Sequence, residues 1–118
     1  STAPDRLARL RTRITEARAR LVEATRQRDA LLTSTSRTAL GPAADGPERA
    51  ARELDRAEGL AVEAAPGITS PASSVMATVS QAERLLFSAE EAIESVGAAA
   101  ARLDDAAEAL RRLRDGAR

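Results

Sequence analysis

The sequence predicts an all-α fold: an elongated three-helix antiparallel bundle with coiled-coil-like Ala/Leu heptad packing and one long C-terminal helix. Of the 118 residues, 28 are Ala, whereas Leu, Ile, Val and Phe together number 22. A chain rich in Ala, Leu, Glu and Arg is typical of long helices. Apolar residues recur at alternating spacings of three and four, and Pro and Gly cluster between the periodic stretches. We therefore expect a single helical domain over residues 1–118.

The first helix is predicted over about residues 3–33. Thr2 and Asp5 have the spacing of a capping box, and Pro4 lies in the first turn, where its missing N–H costs nothing. The apolar positions form a narrow two-in-seven stripe of the coiled-coil type. They are Leu7, Leu10, Ile14, Ala17, Leu21, Ala24 and Leu31. Arg28 occupies the remaining stripe position and is the one interruption.

Residues 34–46 are rich in Ser, Thr, Gly and Pro, which predicts a loop. Leu40 is the one large apolar residue in this loop, and we expect it to pack against the bundle. A second helix is predicted over residues 47–65, with a thin apolar line made mostly of Ala. The Pro66-Gly67 pair ends this helix.

The third helix has the most regular pattern and is predicted over residues 71–114. Ser70 is a suitable N-cap, and Pro71 suits the first helical position. Every heptad stripe position that follows is apolar: Ala72, Val75, Val79, Ala82, Leu86, Ala89, Ile93, Val96, Ala100, Leu103, Ala107 and Leu110. A flanking apolar column widens the stripe, as suits a helix with two or more neighbours. We interpret Gly97 as a bend or close-packing site within a continuous helix.

The composition excludes most catalytic chemistry. The chain contains no His, Cys, Lys, Trp or Tyr. Its Ser residues therefore lack the usual activating bases, and no thiolate or imidazole is present to bind a metal. Neighbouring acidic residues such as Asp104 and Asp105 point about 100° apart on a helix and do not converge. We expect no enzymatic activity and predict no catalytic residue, cofactor or metal ligand.

Hydropathy gives no sign of a membrane protein. The sequence has no run of 18 apolar residues and no signal-peptide core, so we expect a cytoplasmic protein without a membrane span. The use of Arg to the exclusion of Lys, together with abundant Ala, suggests a GC-rich bacterial genome.

The charged residues are unevenly distributed, with net charges of +5 over residues 1–40, −3 over 41–65 and −2 over 66–118. In the heptad frame the first-helix arginines flank the apolar stripe, and acidic residues flank the stripe of the third helix. Opposite charges in such flanks select helix partners. The residues expected to pair are Arg11, Arg13, Arg18 and Arg20 with Glu83, Glu90 and Asp104.

The unequal helix lengths predict an uncovered surface on the C-terminal part of the third helix. We expect Val96, Ala100, Leu103, Leu110 and Leu113 to bind another copy or a helical protein partner. The predicted function is therefore a non-enzymatic interaction or scaffold module. The alternative is a nucleic-acid-binding accessory protein that uses the Arg-rich first helix. The chain lacks the aromatic residues that stack on bases in many such proteins.

Overall fold

The computed structural model describes residues 2–117, and within that range every regular element is a helix. In chain order the α-helices are α1 (Ala3–Leu31), α2 (Arg37–Leu40), α3 (Gly46–Ala64) and α4 (Ser73–Gly116). Short 3₁₀ turns follow α2 and α3, at Gly41–Ala44 and Ala65–Gly67. The long helices α1, α3 and α4 pack against one another, which confirms the predicted all-α bundle.

The three long helices run up, down and up. Arg6 bonds to Glu83 and Arg13 to Glu90, so residue numbers rise together and α1 is parallel to α4. Residues 32–45 turn the chain back, which makes α3 antiparallel to both. The molecule measures 72 × 24 × 19 Å. Helix α4 sets the long dimension, since its 44 residues span about 66 Å.

The core consists of small side chains in close contact. The largest fully buried residues are Leu40, Leu54, Leu86, Val79 and Val96. Helix α3 packs closely on α4 where α3 begins, since a Cβ on Gly46 would lie 2.9 Å from the Ala92 carbonyl oxygen. Glycine is therefore the residue that fits between the two backbones at this point.

Most helix ends differ from the sequence prediction by one or two residues. The capping box is present, with Asp5 N donating to Thr2 Oγ1 at 3.2 Å, but α1 ends at Leu31, two residues early. Helix α4 starts at Ser73 and has no side-chain cap, whereas Ser70 was expected to cap a start at Pro71. The start is late because Ala72 has an extended backbone, with ψ of 163°, and is therefore itself the residue before the helix. Ile68, earlier in the connection, is buried in the core.

The segment predicted as a loop contains helix α2. Ser36 Oγ accepts a hydrogen bond from Ala39 N at 3.1 Å, so a serine typical of loops acts here as an N-cap. Leu40 is 1% exposed and fills the end of the core, as expected. Gly41, with φ of +63°, then allows the sharp turn toward α3.

Candidate interaction surface

Two ion pairs join α1 to α4 in one register. Arg6 donates to both carboxylate oxygens of Glu83, and Arg13 Nη2 lies 2.5 Å from Glu90 Oε1. The residue numbers differ by 77 in both pairs, a multiple of seven, so the heptads of the two helices are aligned. The hydrogen bond to Glu83 raises the pKa of Arg6 above its usual value. The structure thus brings Arg13 and Glu90 together, and it pairs Glu83 with Arg6.

The ion pairs between α1 and α4 do not continue in the same register one heptad after Arg13. The position 77 residues beyond Arg20 is Gly97, which has no side chain, so Arg20 Nη2 reaches back to Glu94 Oε1 at 3.5 Å. An open, mostly apolar groove of about 920 Å³ lies here between α1 and α4, lined by Ala24 and Ile93 among others. Helix α4 runs through Gly97 without a break.

The remaining charged residues of the predicted pairing have other surroundings. Arg18 faces α3, where its Nη2 lies 3.0 Å from Asp55 Oδ1 and also bonds to Glu58. Within residues 2–117, Arg11 and Asp104 make no ion pair. Asp104 is exposed on α4, and no arginine of α1 forms an ion pair with it.

Arg28, the interruption in the α1 stripe, is a buried polar contact between α1 and α3. Its guanidinium binds both carboxylate oxygens of Glu48, at 2.5 and 2.7 Å, and donates to the Ala44 carbonyl at 2.5 Å. Its Nε donates to Asp29 at 2.8 Å. These contacts raise the pKa of Arg28 and lower that of Glu48. A basic residue at a stripe position and an acid in the first turn of the next helix are the sequence signal for this contact.

The far end of α4 has no neighbour in the bundle. We name residues 103–116 the α4 tip; every residue from 104 to 117 is exposed. Leu110 and Leu113 are 68% and 71% exposed. The residues at the same heptad positions earlier in the helix, such as Val96 and Ala99, are buried. Within the described residues, the last hydrogen bond from α4 to the bundle is donated by Arg102 Nη2 to the Ala39 carbonyl at 3.2 Å, and Leu103 packs against the edge of the core.

The residues predicted to bind a partner therefore divide into three groups. Leu110 and Leu113 are exposed, and Ala100 and Leu103 are half-buried at the edge of the bundle. Val96 is fully buried in the core, so it faces no partner. The fully uncovered surface therefore starts about two turns later than the sequence indicated, because the 3₁₀ turn at Gly41–Ala44 also packs against α4.

The charges of the α4 tip change sign along its length. Acidic residues come first, at Asp104, Asp105 and Glu108, basic residues follow, at Arg111, Arg112 and Arg114, and the acidic Asp115 comes last. Glu108 and Arg112 bond to each other at 2.6 Å, one turn apart. In the part of the chain that the structure describes, neither Asp104 nor Arg111 has an ion-pair partner.

No helix within residues 2–117 combines the length and apolar character needed to cross a membrane. In the same range no group of three or more acidic residues is arranged to hold a metal ion. Comparison with known proteins gave no match to a family model, a curated protein or a solved structure.

Proposed function

We propose that the protein is a non-enzymatic helical interaction module that binds a partner helix along the α4 tip. The observation that carries this proposal is the exposure of Leu110 and Leu113 on a helix whose matching columns are buried elsewhere. Exposed apolar stripes with charged edges are characteristic of surfaces that dock an amphipathic helix. The absence of His, Cys and Lys from the sequence supports a non-enzymatic role.

The arrangement of the arginines favours a protein partner over a nucleic acid. Six of the eight arginines on α1 are bonded to carboxylates: Arg6, Arg13, Arg18, Arg20, Arg26 and Arg28. Their charge is largely balanced within the chain, whereas phosphate binding depends on unbalanced positive charge. Retention on heparin that falls steeply with salt would favour the nucleic-acid alternative.

Site-specific photo-cross-linking tests the docking proposal. A photoreactive amino acid is placed at Leu110, and in a matched control at Phe87, which is 61% exposed on the same helix but lies outside the stripe. In cells that naturally express the protein, we expect a discrete cross-linked species from position 110 and none from position 87. The species from position 110 should disappear when Leu113→Glu is added.

Two results would contradict the proposal. Equal yields of cross-linking from positions 110 and 87 would show that exposed apolar residues of this protein bind other proteins non-specifically. No cross-linked species from position 110 would show that the α4 tip has no partner. Circular dichroism of each variant checks that the bundle remains folded, as we expect because all three side chains are mostly exposed.

A further inference from the structure

We propose that the partner of the α4 tip is a second copy of the same chain, docked antiparallel about a two-fold axis near residues 108 and 109. This inference rests on the proposed docking function and deepens it by naming the occupant. Three features carry it: the order of charges along the tip, the alternation of Leu and Ala, and the position of the bundle relative to the stripe.

The first feature is charge complementarity. Asp104 and Arg111 are seven residues apart, so they lie on the same edge of the helix, about 10.5 Å from each other along the axis. That separation is too long for a direct bond, and neither has another ion-pair partner within residues 2–117. An antiparallel copy reverses the order and places Asp104 beside Arg111 of the second copy. By symmetry this contact forms twice in the dimer, so every Asp104 and every Arg111 gains a partner. A parallel copy would place Asp104 beside Ala99 and Arg111 beside Ala106 of the second copy, which leaves both charges unpaired.

The second feature is the fit of large against small side chains. When Ala107 lies opposite Leu110 of the second copy, Leu113 of that copy lies close to Ala106. The same register brings Asp104 within one helical turn of Arg111 of the second copy. Moving the second copy by one heptad, so that Ala107 faces its Leu103, brings the two Asp104 residues together. Both registers place Leu against Ala, and the charges select the first of them.

The third feature is space. Below Ala100 the same face of α4 is covered by α1 and α3, with Val96 and Leu86 fully buried beneath them. A parallel second copy would carry its own α1 and α3 into the volume that this bundle already occupies. In the antiparallel arrangement the two bundles lie at opposite ends, and only the tips overlap. Sterics and charge thus give the same orientation.

The interface should be small. Two helices in contact over about four turns bury less than the roughly 1,200 Å² typical of the smallest stable complexes. We therefore expect a reversible dimer that is monomeric at low protein concentration and dimeric at high concentration. A dissociation constant in about the micromolar range or weaker is consistent with that size.

Sedimentation equilibrium of the full chain and of charge variants provides the first test. We expect Asp104→Arg and Arg111→Asp to weaken dimerisation by about tenfold each, because each replaces two attractive contacts by two repulsive ones. The double variant D104R/R111D should recover most of the wild-type affinity. Asp105→Arg is the matched control, since the adjacent residue points away from the interface, and it should change the affinity little. Melting temperatures should stay within a few degrees of wild type, since none of these residues contacts the bundle.

Disulfide cross-linking gives the orientation directly, because the natural chain contains no Cys. Chains carrying Leu103→Cys are mixed with chains carrying Arg114→Cys and then oxidised. The antiparallel register brings positions 103 and 114 together, so the mixed disulfide should form in preference to either homodisulfide. A parallel dimer would instead give the homodisulfide at position 103.

Each outcome decides one point. A chain that stays monomeric at millimolar concentration overturns the proposal of a second copy, and if position 110 still cross-links to a different protein, the docking function stands. A dimer that gives the homodisulfide overturns the antiparallel orientation. Equal weakening by Asp104→Arg and Asp105→Arg overturns the register. Loss of all cross-linking at position 110 overturns the docking function as well.

Discussion

The lower part of α4, residues 79–99, and the α4 tip share one heptad pattern. The stripe of the lower part is covered by other helices, whereas the stripe of the tip is exposed. Leu86 in the lower part is fully buried between α1 and α3, whereas Leu110, three heptads and a half further on, is 68% exposed. The pattern of apolar residues determines that α4 has a stripe, and the lengths of its neighbours determine how much of that stripe is covered. An uncovered stripe on a helix that continues past its neighbours is therefore the feature that links this fold to a function.

The largest expected difference between the two parts of α4 is in the free energy of unfolding lost when a Leu of the stripe is replaced by Ala. Leu86→Ala should lower the free energy of unfolding by about 2–5 kcal/mol, because it leaves a cavity in the core. Leu110→Ala should change it by no more than about 0.5 kcal/mol in the monomer. Urea denaturation at low protein concentration measures both. A large loss for Leu110→Ala would show that the tip is packed against the bundle.

Two glycines sharpen the comparison, because adding a methyl group should have opposite effects. Gly46→Ala should destabilise the fold by about 1–3 kcal/mol, since its Cβ would meet the Ala92 carbonyl oxygen at 2.9 Å. Gly97→Ala should stabilise it by up to about 1 kcal/mol, because position 97 is helical and its Cβ would meet nothing within 4 Å. Thermal melts of the two variants check the signs. Destabilisation by Gly97→Ala would mean that α4 bends or packs closely at this position.

A smaller effect is expected from the ion pairs that hold α1 on α4. Arg13→Glu should weaken the fold by about 0.5–2 kcal/mol at low salt, since each half-exposed pair contributes about 0.2–1 kcal/mol and the variant adds repulsion from Glu90. The effect should shrink at high salt, where such pairs are screened. Adding Glu90→Arg should restore much of the loss. Melting temperatures that show no recovery in the double variant would contradict the observed register.

The sequence was sufficient to predict the parts of the fold that depend on the local spacing of apolar and capping residues. The capping box at Thr2, the stripe of α1 and the long C-terminal helix all follow from local spacing, and the structure contains each of them. The helix within residues 34–46 was missed, because Ser36 suits both a loop and an N-cap. Only the packing of Leu40 against the bundle distinguishes the two.

The heptad frame predicted the charged contacts of the site only where a residue at the edge of a stripe has a single neighbouring helix. Arg13 and Glu90 pair as the heptad frame indicates, but Arg18 turns to α3, since a flank position at the boundary of three helices can face either neighbour. Val96 was assigned to the partner surface because helix lengths alone do not show where a connecting segment packs. Arg28 was interpreted as an interruption, and its partner Glu48 belongs to a different helix.

Hydrogen exchange along α4, measured at several protein concentrations, tests the central claim most directly. A helix segment without neighbours opens easily, so at low concentration the amides of residues 104–116 should exchange much faster than those of residues 79–99. Raising the concentration should slow exchange in residues 104–116 alone, because a second copy covers the stripe. Tip amides that are as well protected as the lower helix at every concentration would contradict the account. So would slowing that appears in α1 or α3 and not in the α4 tip.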